Sequence, residues 1–466
     1  MNRLFVFGWI LASLCALGIN GARARPGGGD SPSSKGSSGG KVLLTPDDFT
    51  FAGSYLFSAD NQAGYGMGLT SRRVRGELRF LTFSYTGKVK ARLIEFALPE
   101  KVGDKITSLT ATWDDVWSPL PYPNLGGGDE YGLWWEDMGD DKGRLWTTHC
   151  TDYPSDPKPA GSNTGVNNPF AVAIRTLNAD GTIAQLKGEY GFAGVGQRAI
   201  YGGIQSIPKW FQDKYSVSQP YLAGWGGYTS RMAQGLVPSL GLMALAFPDV
   251  TTYETNTIIP TKDFKILADH RSGTTNYKDW YALGKPTQFD RGQRNADVIN
   301  YFGGGDPREN PTTAPSEPPA KGGQWQSPAP DGFGRFVWGD SFYNTGCWID
   351  GPNKGGFIAI GSFAKGKAYY AMSTLHNEGR HAELQIFNPD DFGKVVKGKL
   401  PPWKVQPAAS KLLTPDLAPL GLLYPTGGNN PAGAAAGATF DTRTSTLYIW
   451  SHAKNHSVLI AYKVKC

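Results

Sequence analysis

Trp113-Asp114-Asp115-Val116-Trp117 sets two carboxylates between two indole rings. Sugar C–H faces stack on such rings and sugar hydroxyls bond to such acids, so Trp113, Asp114 and Asp115 suit a carbohydrate ligand. Paired carboxylates also hydrolyse glycosidic bonds when they stand about 5–9.5 Å apart across a cleft. Asp114 and Asp115 are not themselves that pair, because neighbours on a strand point to opposite faces. The plainer reading is a strand end with one acid in a turn. A second group gathers around Asp340 and Tyr343, and around His376, Glu378, Arg380 and His381 in one later loop. On a shared face these would bring together an acid, a hydroxyl and two imidazoles, with histidine as general base or metal ligand. Their spacing matches no metal signature, and ordinary loop residues are the plainer reading here too.

Other arrangements are weaker. Glu136, Asp137, Asp140 and Asp141 could lend oxygens to calcium, but they lack the ordered acid–glycine spacing of a calcium loop. They read as a solvated hairpin tip between Gly139 and Gly143. His452 and His456 stand four apart, a ligand spacing on a helix that loses its meaning in a hairpin. The chain has no phosphate-binding loop, C-x-x-C or H-E-x-x-H. No metal site is therefore expected from a motif, and the motifs leave the cofactor and the catalytic residues open. Cys150, Cys347 and Cys466 are too few for a disulfide framework and are expected to be non-catalytic.

Whatever holds these residues is built of strands. Gly (61) and Pro (33) make up a fifth of 466 residues, aromatics are 12% and charged residues only 18%. That composition excludes a coiled coil, a helical bundle, a disordered polymer and, without a glycine every third residue, collagen. Short apolar or alternating runs recur between Gly, Pro, Asn and Asp, as at 49–57, 78–83, 92–98, 170–174, 357–360, 383–387 and 447–450. Each is strand-sized. Helical signals are confined to 208–215 and to 390–397, with Pro389 at the start and Gly398 past the end, which disfavours repeated βαβ units. An alternating run such as 446–449 predicts a strand with one buried face.

The two ends of the chain echo each other. GLTSRRVRGELRFLTF and then RLIEFALP stand near the start; GATFDTRTSTLYIWSH and then VLIAYKVK stand near the end. Gly68 precedes Leu78 by the same interval as Gly437 precedes Leu447. Weaker echoes run from Gly132-Leu133-Trp134 to Gly143-Arg144-Leu145-Trp146, and from Arg335-Phe336-Val337-Trp338 to Gly346-Cys347-Trp348-Ile349. A small antiparallel sheet repeated in this way cannot bury its faces alone, but several stacked radially can. GATFDTRTSTLYIW resembles the strand–turn–strand of NHL-type β-propeller blades, and the overall texture is similar to secreted bacterial proteins of that architecture. The resemblance implies an all-β propeller and no particular chemistry. Six or seven blades with long loop insertions are expected from the chain length, with a pair of β-sandwiches as the alternative. Ring closure predicts that 49–57 joins the sheet of 458–464, because an unpaired sheet edge would leave donors and acceptors exposed.

The N-terminus reads as a secretory signal over 1–24: Arg3, an uncharged apolar run, then Ala22-Arg23-Ala24. A Gly/Ser/Pro-rich linker spans 25–40, and one domain spans 41–466 with a Pro/Gly-rich insertion near 303–332. No run is long enough to span a bilayer, so a secreted or periplasmic protein is expected. The formal net charge of +6 is small and forms no dense basic cluster, which argues against nucleic acid. The expected role is an extracytoplasmic binding protein for polysaccharide or cell-surface material. A carboxylate-based hydrolase and a structural surface component are the alternatives.

Overall fold

Leu447, Tyr448, Ile449 and Trp450 follow one another along a strand, and all four are buried. Alternation alone would leave every second one in water. A strand buries both faces only when its sheet is covered on both sides. The computed structural model describes residues 41–57, 68–84, 92–103, 105–106, 110–113, 129–139, 143–150, 170–177, 183–193, 195, 200, 202–224, 243–269, 342–365, 379–402, 405, 407–417, 435–453 and 456–466. Among them strands predominate and helices are few. Lys41–Cys466 is one compact unit.

The chain opens with β1 (Val42–Leu43) and β2 (Phe49–Phe57). Sheet I follows as β3 (Leu69–Val74), β4 (Glu77–Ser84) and β5 (Arg92–Ala97); the short β6 (Lys105–Ile106) leaves for another sheet before β7 (Thr110–Trp113) completes it. Sheet II is β8 (Asp129–Asp137), β9 (Gly143–Cys150), β10 (Phe170–Leu177) and β11 (Ile183–Phe192). Sheet III is β12 (Gly203–Ser206), β13 (Tyr221–Gly224) and β14 (Met243–Phe247), then β15 (Thr257–Ile259) pairs in parallel with β11, and β16 (Lys265–Asp269) ends the sheet. Sheet IV is β17 (Phe342–Asp350), β18 (Lys354–Lys365), β19 (Gly379–Phe387) and β20 (Pro407–Leu412), with β1 alongside β18. Sheet V is β21 (Ala435–Asp441), β22 (Thr446–Ala453) and β23 (His456–Val464), extended by β2 and β6.

The first strands of these sheets lie against one another in a cycle. β3 contacts β8, β8 contacts β12, β12 contacts β17, β17 contacts β21, and β21 returns to β3. Hydrogen bonds stitch them: Trp135 N donates to Thr70 Oγ1 at 2.8 Å, Trp348 N to Gln205 Oε1 at 3.0 Å, and the hydroxyls of Ser71 and Thr439 are 3.2 Å apart. Backbones crowd where these strands begin. A Cβ at Gly437 would stand 2.4 Å from Leu69 N, and one at Gly132 would stand 3.0 Å from Gly203 Cα, so both positions exclude a side chain. Gly68, at φ 77°, takes the left-handed turn into β3.

Each pair of neighbouring sheets encloses its own apolar core. Leu81, Phe83 and Leu93 meet Leu133, Trp135 and Leu145 between I and II. Trp146 and Phe192 meet Tyr221 and Phe247 between II and III, and Leu222 and Ala246 meet Trp348 and Phe357 between III and IV. Ile358 and Ile360 meet Leu447, Ile449 and Ile460 between IV and V, while Tyr448, Trp450 and Leu459 meet Phe80 and Phe96 between V and I. The alternation in β22 thus serves two sheets at once, which corrects the one-sided burial expected from its pattern. Trp450 lies edge-on to Phe57, ring centroids 4.9 Å apart.

This is a propeller-like arrangement, and it replaces the paired sandwiches. The described residues form five sheets, not the six or seven blades expected from the chain length. The expectation spread residues evenly, whereas sheet I uses only Leu69–Trp113 and residues 270–341 stand between two consecutive sheets. Closure follows the expectation: β2 pairs antiparallel with β23 from Phe49↔Val464 to Leu56↔Val458. A bulge between Phe51 and Gly53 bends β2, and Gly53, at φ 128°, leaves room for Val102. One echo is misplaced. Gly346–Ile349 lies in β17, the first strand of its sheet and not the second, while Arg335–Trp338 falls outside the described residues.

The two helical signals form α1 (Lys209–Tyr215) and α2 (Pro389–Val396); a single turn, α3 (Thr414–Leu417), follows β20. Asn388 caps α2 by accepting from Asp390 N at 2.9 Å, and Gly398 turns the chain beyond it at φ 68°. No described helix is long and apolar enough to cross a membrane.

Candidate functional site

Strands alternate in direction within each sheet, so their ends fall on two edges. At one edge the first strand begins, the second ends, the third begins and the fourth ends. The segments leaving there join second to third strands and each sheet to the next; we call it the connection edge. At the other, the hairpin edge, first strands turn into second and third into fourth.

The hairpin edge is tied by charge. Asp441 ends β21, accepts from Arg443 N and Thr444 Oγ1 in its own turn, and accepts two hydrogen bonds at 3.0 and 3.1 Å from Arg73 Nη2 at the end of β3. One carboxylate thereby shapes the turn of sheet V and fastens it to sheet I. This is the physical content of the Phe-Asp turn in the C-terminal block. Between sheets II and III the Arg144 guanidinium donates to Glu136 Oε2 at 2.7 Å, to Asp249 at 3.3 Å and to the Tyr221 hydroxyl at 2.7 Å. Trp146 Nε1 donates to the same Glu136 oxygen at 2.9 Å, and Tyr221 donates to Glu136 Oε1 at 2.8 Å. Burial, then the Glu136 carboxylate, pushes the Tyr221 hydroxyl well above the usual tyrosine range. Burial alone would lower the Arg144 guanidinium, but its bond to Glu136 and the surrounding negative charge raise it. Every donor of this cluster is directed at an acceptor within it. Glu136 is therefore an inter-sheet clamp rather than part of a solvated tip; Asp137 beside it is exposed, and Asp140 and Asp141 lie outside the described residues. Arg72, packed over Trp135, forms a two-bond pair with Glu95 at 2.6 and 2.7 Å, both side chains largely buried.

The chemistry singled out in the sequence falls on the other edge. Trp113 is the last residue of β7 and sits opposite Leu93. Asp114 and Asp115 follow it directly and lie outside the described residues. Tyr343 is the second residue of β17, and His381 is near the start of β19, opposite Phe363. Asp340 precedes β17, and His376 and Glu378 precede β19; all three lie outside the described residues. Sheet IV thus brings the beginnings of β17 and β19, and with them Tyr343 and His381, to one edge. Trp113 reaches the same edge two sheets away, with sheet V between.

Sequence reasoning passed over Glu130 and His149, which form a register pair on β8 and β9 at this edge, next to Asp129 opposite Cys150. The signal was available: each stands one residue from the connection end of its strand. The thiols described in full are unpaired by disulfide. Cys347 is buried, and burial pushes its thiol far up, so it packs as a small apolar residue; Cys466 is half-buried near Ser445. Among the described residues no group of three or more His, Cys, Asp and Glu is disposed to hold a metal. No protein-family model matches the chain, and no curated protein matches it either, so the likeness to NHL-type blades rests on the residues that carry it.

Proposed function

We propose that this protein is an exported, five-bladed β-propeller that binds polysaccharide or cell-surface material at its connection edge. The observation that carries the reading is the division of labour between edges. Inter-sheet ion pairs such as Arg73–Asp441 and Arg144–Asp249 tie the hairpin edge, whereas the connection edge holds the ends of the longest segment, 270–341, and of 114–128 and 225–242. Those segments are rich in Gly, Pro and aromatic residues, among them Trp117, Trp225, Trp280 and Tyr281. Long connections mounted on a rigid scaffold are where binding residues concentrate, and rings beside carboxylates, as at Trp113–Asp115, suit sugars. Export rests on the basic, apolar and A-x-A order of residues 1–24 and is tested by intact mass: exported protein should begin at Arg25. Affinity electrophoresis against a panel of neutral and acidic polysaccharides tests binding. Retardation by at least one, reduced in Trp113→Ala, supports the reading, and mobility unchanged by the whole panel refutes it. A hydrolase is the second reading, favoured by Tyr343 and His381 sharing an edge of one sheet with the chain positions of Asp340 and Glu378. Release of reducing ends from a bound polysaccharide, abolished in Asp340→Asn or Glu378→Gln, would establish it.

A further inference from the structure

Two junctions between first strands use the same device. In β3 the Thr70 hydroxyl accepts from Trp135 N of β8 at 2.8 Å, and in β12 the Gln205 amide accepts through Oε1 from Trp348 N of β17 at 3.0 Å. The threonine oxygen stands one bond beyond its Cβ and the glutamine oxygen three. Sheets III and IV are therefore joined by the longer arm. That arm has a second polar atom to satisfy. Gln205 is only 8% exposed, and its Nε2 has no acceptor among the described residues.

Trp348 supplies a second donor of the same kind. Its side chain lies among Phe211, Phe357 and Phe392, with ring centroids 5.4, 5.6 and 6.0 Å away. Trp348 is 6% exposed, and its Nε1 also has no acceptor among the described residues. Both side chains belong to one seam. Gln205 alternates with Ile204, which faces sheet II, and Trp348 alternates with Cys347 and Ile349, which face sheet V. Rings fill the hairpin half of this seam. Towards the connection edge its faces lose bulk, with Gly203, Gly224 and Ala244 on sheet III and Gly346 and Ala359 on sheet IV. Facing sheets stand about 10 Å apart, and Gly and Ala span the least of that gap.

A buried N–H without an acceptor costs the whole desolvation of the group, and nearly all such groups in folded proteins are paired with protein or with an ordered molecule. Trp210 of α1 shows the paired case. Its ring is 6.4 Å from that of Trp348, and its Nε1 donates to Asp350 Oδ1 at 2.9 Å. Lys41, beside β18, is bound to the same carboxylate and is not left over to balance an anion. The two donors of the seam carry no charge, so an anion held by them would be buried without a counter-charge. An apolar occupant would leave both donors unmade. Two uncharged donors suit an uncharged oxygen.

We propose that the seam between sheets III and IV binds one neutral oxygen acceptor, shared by Gln205 Nε2 and Trp348 Nε1 and seated against the small residues beside them. The class is a water molecule or the hydroxyl of a small polar compound. Either accepts from two N–H groups, and either fits a site that is both polar and roomy. The occupant gives this junction two links, the bond from Trp348 N to Gln205 and the shared oxygen. The site lies within a seam and not at the connection edge, so it stands or falls independently of polysaccharide binding.

A crystal structure of the full chain tests this without any variant. One peak should stand about 2.7–3.2 Å from both nitrogens. A round peak identifies water. Elongated density, with a matching extra mass in native mass spectrometry, identifies a hydroxyl compound carried from the cell. Either result upholds the site. In solution, the Trp348 indole N–H of 15N-labelled protein, assigned by its loss in Trp348→Phe, should show a cross-peak to water or to non-protein protons. Gln205→Met should remove that cross-peak. If Trp348→Phe does not fold, the indole signal that loses its cross-peak in Gln205→Met takes its place. Nitrogens directed onto ring faces with no peak near them overturn the proposal. So do two separate peaks, one at each nitrogen, or indole cross-peaks that all survive in Gln205→Met.

Discussion

The two edges of the ring are made from the same strands and spend their residues differently. At the hairpin edge several charged side chains reach partners far away in sequence: Arg73 reaches Asp441, Arg144 reaches Asp249, and Lys354 reaches Asp48. At the connection edge the aromatic, acidic and imidazole-bearing residues stand at strand ends and in the segments between. A ring of sheets needs fastening between neighbours, and long connections on a rigid scaffold are where binding residues concentrate. The contrast teaches that one edge can be read for stability and the other for recognition.

Four measurements would break or sharpen that division. The largest effect should come from removing 41–57, which deletes β1 and β2 and exposes the outer side of β23 over its whole ladder. The domain should lose cooperative thermal unfolding altogether, while removal of 26–40 should leave the transition unchanged; a folded 41–57 deletion would break the picture of a closed ring. Next, Arg144→Ala strands Glu136 and Asp249 in a partly buried site. A loss of about 1–3 kcal/mol in urea unfolding is expected, less than a fully buried pair costs because Asp249 is a third exposed. Polysaccharide binding should not change. Trp113→Ala should do the reverse, weakening binding about tenfold while leaving stability within about 1 kcal/mol. An effect of Arg144→Ala on binding, or of Trp113→Ala on stability alone, would erase the distinction between edges.

The smallest effect concerns acid. Burial would raise the Asp48 carboxyl, but bonds from Lys354 at 2.6 Å and from Thr45 at 2.8 and 3.0 Å outweigh it and hold the group below its ordinary 3.8. A carboxyl depressed in the folded state lends stability above its unfolded pKa and withdraws it as pH falls through the folded value. The urea midpoint should therefore drop as pH is lowered from 5 towards 3, and Asp48→Asn should flatten that slope while lowering the plateau near neutrality. An unchanged slope would mean that the pair with Lys354 contributes nothing there.

Much of the scaffold was legible beforehand. Strands such as Phe49–Phe57 declare themselves by alternating aromatic residues between turn formers, and the Gly-to-Leu interval shared by the two ends exposes the repeat. Closure followed from the cost of an unpaired edge. Blade number was not legible, because connection length says nothing about how many sheets it separates. Two-sided burial in β22 was hidden, since a row of apolar residues does not reveal how many neighbours cover it. The Arg144 cluster was invisible for a different reason. Glu136 and Arg144 face each other across one hairpin, but Tyr221 and Asp249 belong to the next sheet, and only the packing of sheets brings them into reach. Of the candidate residues, Trp113, Tyr343 and His381 fall at strand ends on one edge, and neither their neighbours there nor their chemistry follows from sequence position alone.

The pairing of Phe49 with Val464 has a bearing on how this molecule comes into being. A ribosome delivers β2 long before β23, so the ladder that completes sheet V joins strands separated by all four other sheets in the chain. Contacts of such separation form slowly, because the entropy of closing the loop is lost before any bond is gained. Until then an aromatic strand with open hydrogen-bonding groups is available to any similar strand nearby, which is how nascent β-rich chains aggregate. Production of the intact protein should therefore be governed by how long β2 waits, and slowing synthesis should harm its yield more than lowering its concentration helps.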